Sequence, residues 1–259
     1  MDFFPANLIL AVATASATIF LGFLPTRNIR SSFFAGEILK ALIAWIFIAL
    51  ISPPAIQHYY FFIAMVCFAS WWQFRRDKAL SGKMWLSIAS GLGISVGVML
   101  ILAITPRAYP AGLTSLERPL LLASIYLGGT WVGLAYMVYI LVQASSARSG
   151  VTNEQVRQYG RLLPLLALVR AGAIGAMAYF HLFAPMPRVL EPMTLPARDA
   201  MLHNQLGWLL LMVIVILPAL AFMGQRAVRL RLSRQASTLL AILCVFGFVA
   251  EILARLLVL

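Results

Sequence analysis

The sequence predicts an all-α, polytopic integral membrane bundle of eight transmembrane helices, a single domain over residues 1–259 with both termini outside. Three observations predict it. Hydrophobic residues make up 62% of the chain and charged residues 11%, with a mean hydropathy of +0.92, so there is too little polar surface to clothe a water-soluble fold. The apolar runs are continuous and about twenty residues long, as a helix needs to cross roughly 30 Å of hydrocarbon, and they lack the alternating polarity of barrel strands. Lys and Arg fall in alternate loops, the bias that orients a multi-pass chain.

The spans read as Pro5 to Leu24, Phe33 to Ser52, Gln57 to Phe74, Met84 to Thr105, Pro119 to Gln143, Arg161 to Ala184, Asn204 to Met223 and Ser237 to Val258. The first lacks the positive region of a cleaved signal peptide, so it is expected to be retained. Pro53 and Pro54 stop the second span and leave room only for a tight turn into the third. The odd-numbered loops hold Arg27, Arg30, Lys40 (just inside span two), Arg75, Arg76, Lys78, Lys83, Arg148, Arg157, Arg161, Arg226, Arg229, Arg231 and Arg234, fourteen of the 20 basic residues. The even loops hold Arg107, Arg118, Arg188 and Arg198. The odd loops are therefore assigned to the cytoplasm and the termini to the outside of a bacterial inner membrane. The net charge of +12 is explained by this orientation, and no nucleic-acid partner is indicated. Trp71, Trp72 and Trp85 then fall at the inner interface, and Tyr59, Tyr60 and Tyr109 at the outer one.

Small residues mark close helix approaches: Gly93 and Gly97 in span four, Gly129 and Gly133 in span five, and Ala171 to Ala176 in span six. They suggest that spans four to six form a tight bundle. Pro164 is placed in the first turn of span six, whereas Pro218 lies deep in span seven and should kink it. Thr152 and Gln155 have capping-box spacing, which suggests a short interfacial helix from Asn153 to Tyr159 ahead of span six. The proline-rich outer loop from Pro185 to His203 reads as a docking surface or lid. The only internal echo, GEILKAL at Gly36 and AEILARL at Ala250, has no repeated context and reads as coincidence.

Few residues carry chemistry. Cys67 and Cys244 lie inside apolar spans with no CxxC neighbourhood, so neither a disulfide nor a metal site is expected. There is no catalytic triad, P-loop, HExxH or aspartate pair, so this chain alone holds no complete active site. His58, His181 and His203 all fall at outer ends of spans, which suits proton exchange with a lipophilic substrate at a wet boundary but not axial ligation of a buried haem. The last span holds Glu251 and Arg255 one turn apart, each costing about 3 kcal/mol near a bilayer centre unless paired. Two readings stay open, a functional pair and structural glue with Arg255 snorkelling to the surface. Arg170, about 15 Å into span six, needs a carboxylate, and Glu251 matches its depth to about 6 Å. A buried network of Arg170, Glu251 and Arg255 follows as an expectation.

The second half of the chain resembles the membrane anchor subunit of the dimethyl sulfoxide reductase family, among the polysulfide-reductase-type quinone-reactive anchors. The resemblance rests on LASIYLGGTWVGLAYMVYIL in span five, RLLPLLALVRAGAIGAM in span six and AEILARLL in span eight. It implies a haem-free anchor that oxidises menaquinol or ubiquinol near the outer face in anaerobic respiration. Electrons would pass to an iron–sulfur subunit and on to a molybdopterin catalytic subunit, so those cofactors belong to partners. It further implies a quinol site at His58, the proton acceptor, with Glu251, Arg255 and His181. The first half departs from the pattern: the family's His-Leu-Gly-x-Pro stretch is replaced by QHYYFF around His58, and span three contains no acid. Ala144 to Leu166 also resembles the coupling segment of the membrane component of energy-coupling-factor transporters, without its usual second copy. That reading, and a structural subunit that has lost quinol turnover, are the alternatives.

Overall fold

The computed structural model describes residues 4–108, 117–146, 149–179, 207–230 and 233–258; near several helix ends, Arg255 among them, only the backbone is described. These residues form eight helices: α1 (Phe4–Phe23), α2 (Ser31–Ile51), α3 (Pro54–Arg75), α4 (Ala79–Ala108), α5 (Glu117–Ser146), α6 (Asn153–Tyr179), α7 (Gly207–Arg229) and α8 (Ser233–Val258). Six of them, α2 and α4 to α8, are long and apolar enough to cross a membrane, and Asn7–Phe23 of α1 is a shorter apolar helix. The fold is that of a multi-pass helical membrane protein. In α3, Gln57, His58, two tyrosines and two tryptophans dilute an otherwise apolar sequence. Exposed faces are apolar, with Ile43, Phe47, Met65, Leu165, Val215 and Val245 all turned outward. Such faces suit hydrocarbon.

Helix packing divides the chain into two four-membered rings. In the first, α1 packs on α2, α2 on α3, α3 on α4 and α4 back on α1; in the second, α5 packs on α6, α6 on α7, α7 on α8 and α8 back on α5. The rings meet along α1 and α5, with α8 also touching α1. Glycine makes that seam possible: a Cβ on Gly133 would stand 2.6 Å from the Ala13 carbonyl oxygen, and one on Gly129 would overlap Val12. Hydroxyls add polar stitches, Ser16 to Thr130 at 3.2 Å across the seam and Thr18 to Ser90 at 2.7 Å between α1 and α4. The first ring closes around Trp45, Tyr60 and Cys67, all buried.

The chain alternates direction, and its odd connections gather at one end. Arg30 N–H donates to the Ser149 carbonyl, joining the α1–α2 and α5–α6 connections, and Lys83 donates to the Leu24 carbonyl. Gly150 adopts φ +86° with its Cα against the Asn28 carbonyl, a place where only glycine fits. At the opposite end, Asn7 donates to Ile51 O and Ser52 Oγ, so the start of α1 lies beside the α2–α3 turn.

Two expectations are corrected, and the distortion expected at Pro218 takes a specific form. Spans four to six do not form one bundle, because α4 closes the first ring while α5 and α6 belong to the second. The glycines of α4 receive Trp45 of α2 and Tyr126 of α5. The Thr152–Gln155 capping box forms reciprocally, at 2.9 and 3.3 Å. It starts no separate short helix: α6 runs unbroken from Asn153 to Tyr179, with Pro164 in its interior. Pro218 acts through the helix register, since Leu211–Ile216 just before it is a π-helix and Leu217 N–H reaches back to Met212 O. The wider turn absorbs both the missing N–H and the clash of the proline ring with the preceding turn. The loop from Pro185 to His203 lies outside the described residues.

Candidate functional site

Inside the second ring, Arg170 projects from α6 into a cluster closed by α5 and α8. Its Nε donates to Glu251 Oε1 at 2.7 Å and its Nη2 to Glu251 Oε2 at 2.8 Å. The third nitrogen, Nη1, donates to Ser124 Oγ on α5 at 2.6 Å. The guanidinium and carboxylate thus meet fork to fork, the strongest geometry for this pair. The two side chains are 2% and 1% exposed, so neither water nor lipid competes for them. Counting along each helix from the end away from the basic connections, Ser124, Arg170 and Glu251 all lie about 10–14 Å in.

Local sequence explains how so polar a group is buried. Ala167 and Ile174 flank Arg170 on the buried face of α6, and Ala250 and Ala254 flank Glu251 on α8. The three alanines are small enough to let the helices close. On α5, Gly128 stands one turn beyond Ser124, and a Cβ there would sit on the Glu251 carboxylate. One turn further, Trp131 presses on Gly247 of α8, where a Cβ would overlap the indole ring. Each helix therefore sets a glycine against the other's large side chain, which fixes how α8 lies on α5.

The structure brings Arg170 and Glu251 together. Arg255 lies one turn beyond Glu251 on α8, with its side chain outside the described residues. His58 is not brought to the pair: it is exposed near the start of α3, its ring 4.0 Å from that of Tyr59. Its helix packs on α2 and α4 in the other ring. His181 and His203 lie outside the described residues. Cys67 and Cys244 are both free thiols. No group of three His, Cys, Asp or Glu side chains gathers among the described residues.

Ser124, Gly128, Trp131 and Gly247 were not singled out from the sequence. The usable signal was the pair of small residues at Ser124 and Gly128, four apart and beside the more visible Gly129–Gly133 pair. Chemically the cluster holds, among the described residues, a buried ion pair that ties three helices together. Comparison with family models, with curated proteins and with solved structures gave no match.

Proposed function

We propose that the chain is the membrane anchor subunit of a multi-subunit molybdopterin and iron–sulfur oxidoreductase, binding menaquinol or ubiquinol near its outer face. One observation carries this reading. The three stretches that resemble the anchor family, in α5, α6 and α8, converge on a single buried cluster through Ser124 and Gly128, Arg170 and Glu251. Similar sequence distributed over three helices is then the signature of one shared core. In this reading all eight helices span the bilayer, the basic end faces the cytoplasm and both termini face outward, with the iron–sulfur and molybdopterin groups held by partners. Arg170 and Glu251 hold the second ring in register, Arg255 extends that group toward the outer face, and His181 adds a polar group there. His58, at the outer end of the first ring, accepts the quinol proton without Glu251 as its neighbour.

The transporter-component reading draws less support, because the segment it depends on is tied down. Ser149 and Gly150 are packed on the α1–α2 connection, which reduces the backbone free to engage a coupling ATPase. The test is gentle detergent purification of the native protein, with mass spectrometry of co-purifying chains and assay of iron and molybdenum. An iron–sulfur protein and a molybdopterin protein are expected. Co-purifying ATPases, or membrane chains without either metal, would overturn the proposal. Within an assembled complex, His58→Ala is expected to abolish quinol-dependent reduction, and unchanged turnover would remove His58 from the site.

A further inference from the structure

Where the two rings meet, α1 and α5 form the floor of a cavity of about 410 Å³, with α2 and α8 as its walls. It exists because the residues facing it are small: Ala17 on α1, Ala41 and Ala44 on α2. The mouth lies between α2 and α8, which belong to different rings, and its rim carries Lys40, Tyr136 and Val249, all exposed. A ligand would enter sideways from the hydrocarbon. The volume falls in the range of about 300–1,000 Å³ typical of small-molecule pockets.

The lining is mostly apolar, and its polar members are Thr14, Thr18, Lys40, Tyr136 and Glu37. Glu37, on α2 about 9 Å from the start of that helix, lines the cavity, and its side chain is 12% exposed. Its Oε1 is held by Lys40 Nζ at 2.8 Å. Its Oε2 is buried and has no hydrogen-bond partner among the described residues. A buried carboxylate oxygen with no donor is costly, and buried polar groups in native structures nearly always find partners. The terminal carboxylate torsion of Glu37 is soft, and a small turn brings Oε2 to the cavity, where it offers an acceptor to a mostly apolar molecule that carries a donor.

We propose that this cavity is a lateral binding site for a long-chain lipophile with a hydroxyl head group, the hydroxyl donating to Glu37 Oε2 and the chain lying along α1 and α5. Lys40 orients the carboxylate through Oε1 and leaves Oε2 as the second acceptor. A partner's transmembrane helix fits poorly, because the lining on α1 runs only from Leu10 to Leu21, about 16 Å, against the roughly 30 Å that a spanning helix would need. Glu37 and Lys40 lie in the half of the bundle nearer the basic connections, neither His58 nor Arg170 nor Glu251 lines the cavity, and the proposal does not rest on the anchor reading.

The test is photolabelling of the full chain in lipid nanodiscs with a diazirine-bearing long-chain alcohol, using its methyl ether as the control probe. Labelled peptides are mapped by mass spectrometry. The alcohol is expected to label α2 and α8 around the mouth, roughly tenfold more strongly than the ether, as loss of one hydrogen bond to a charged group implies. Glu37→Leu should abolish that preference, and Ala44→Trp, which fills the cavity, should abolish labelling by both probes; each variant is first shown to be monodisperse. Competition by a short-chain quinol or by phosphatidylglycerol then distinguishes a redox lipophile from a bilayer lipid as the natural occupant. Equal labelling by alcohol and ether, an undiminished preference in Glu37→Leu, or labelling spread evenly over the lipid-facing helices would overturn the proposal.

Discussion

Glu251→Leu removes the carboxylate that receives two of the three hydrogen bonds donated by Arg170. The guanidinium is left in a site 2% exposed, held by Ser124 Oγ alone of the partners described above. Removing one partner of a buried ion pair costs about 3–5 kcal/mol, whereas an ordinary interhelical hydrogen bond inside a membrane protein is worth about 0.6 kcal/mol. The two cases differ by a factor of five or more. Equilibrium unfolding in mixed detergent and SDS micelles, followed by circular dichroism, resolves such a difference. The diagnostic experiment adds Arg170→Leu to the first variant. With both charges gone, two leucines replace the pair and Ser124 turns its hydroxyl to its own helix, so the double variant should regain most of the loss. A double variant less stable than Glu251→Leu, or a single variant that loses under about 1 kcal/mol, would refute the argument that the two charges exist here only because they compensate each other.

Gly128→Ala should lower stability by about 1–3 kcal/mol through overpacking on Glu251, while Gly175→Ala, with no described atom within 4 Å of the added Cβ, should change it by less than about 0.5 kcal/mol; the same unfolding assay compares them. Thr152→Ala removes half of the capping box and should cost about 1 kcal/mol, read as earlier fraying of the first turn of α6 in hydrogen exchange. Lys78→Cys and Pro53→Cys, at opposite ends of the bundle, test the proposed orientation. A membrane-impermeant maleimide should label the second in intact spheroplasts and the first only after lysis.

Much of the second ring was legible because depth along a helix is simple arithmetic. Arg170 and Glu251 fall at similar heights in two apolar spans, and a charge in hydrocarbon must find its opposite. Their neighbours on α5 were not legible. Ser124 and Gly128 carry no charge, and which helix packs beside α6 and α8 depends on ring closure, which no single span encodes. The Gly93–Gly97 pair was readable as a close contact but not as to its partner, since a glycine seam accepts any complementary surface. Here that surface was Trp45 and Tyr126. The start of α6 was missed by eight residues because apolar content marks where hydrocarbon begins. The backbone hydrogen bonds of α6 instead continue through Glu154 and Arg157 to the capping box. Pro218 announced a distortion, and only the backbone shows that a π-turn supplies it. Glu37 stood in the sequence merely as half of an echo; an acid inside an apolar run with Lys40 three residues on was the signal available.

The two rings hold themselves together in different ways, and the difference bears on why an ion pair is kept at all. Described polar contacts in the interior of the first ring are between neutral groups, Asn7 with Ser52 and Thr18 with Ser90, and the charged Lys83 bonds the Leu24 carbonyl only at the basic end. Such contacts tolerate small slips, because a hydroxyl can turn to a carbonyl of its own helix. The second ring places full charges in its interior, where the desolvation cost cancels much of their attraction and well-packed leucines would serve stability as well. What leucines do not supply is register. Moving α8 by one residue turns Glu251 by about 100° away from α6 and withdraws both acceptors from Arg170, leaving two charges unpaired in hydrocarbon. A one-residue slip of a leucine seam merely exchanges one apolar contact for another. The Arg170–Glu251 fork therefore selects a single seating for α8 against α5 and α6. The glycines at 128 and 247 make the same selection sterically, since each admits its partner side chain at one height only.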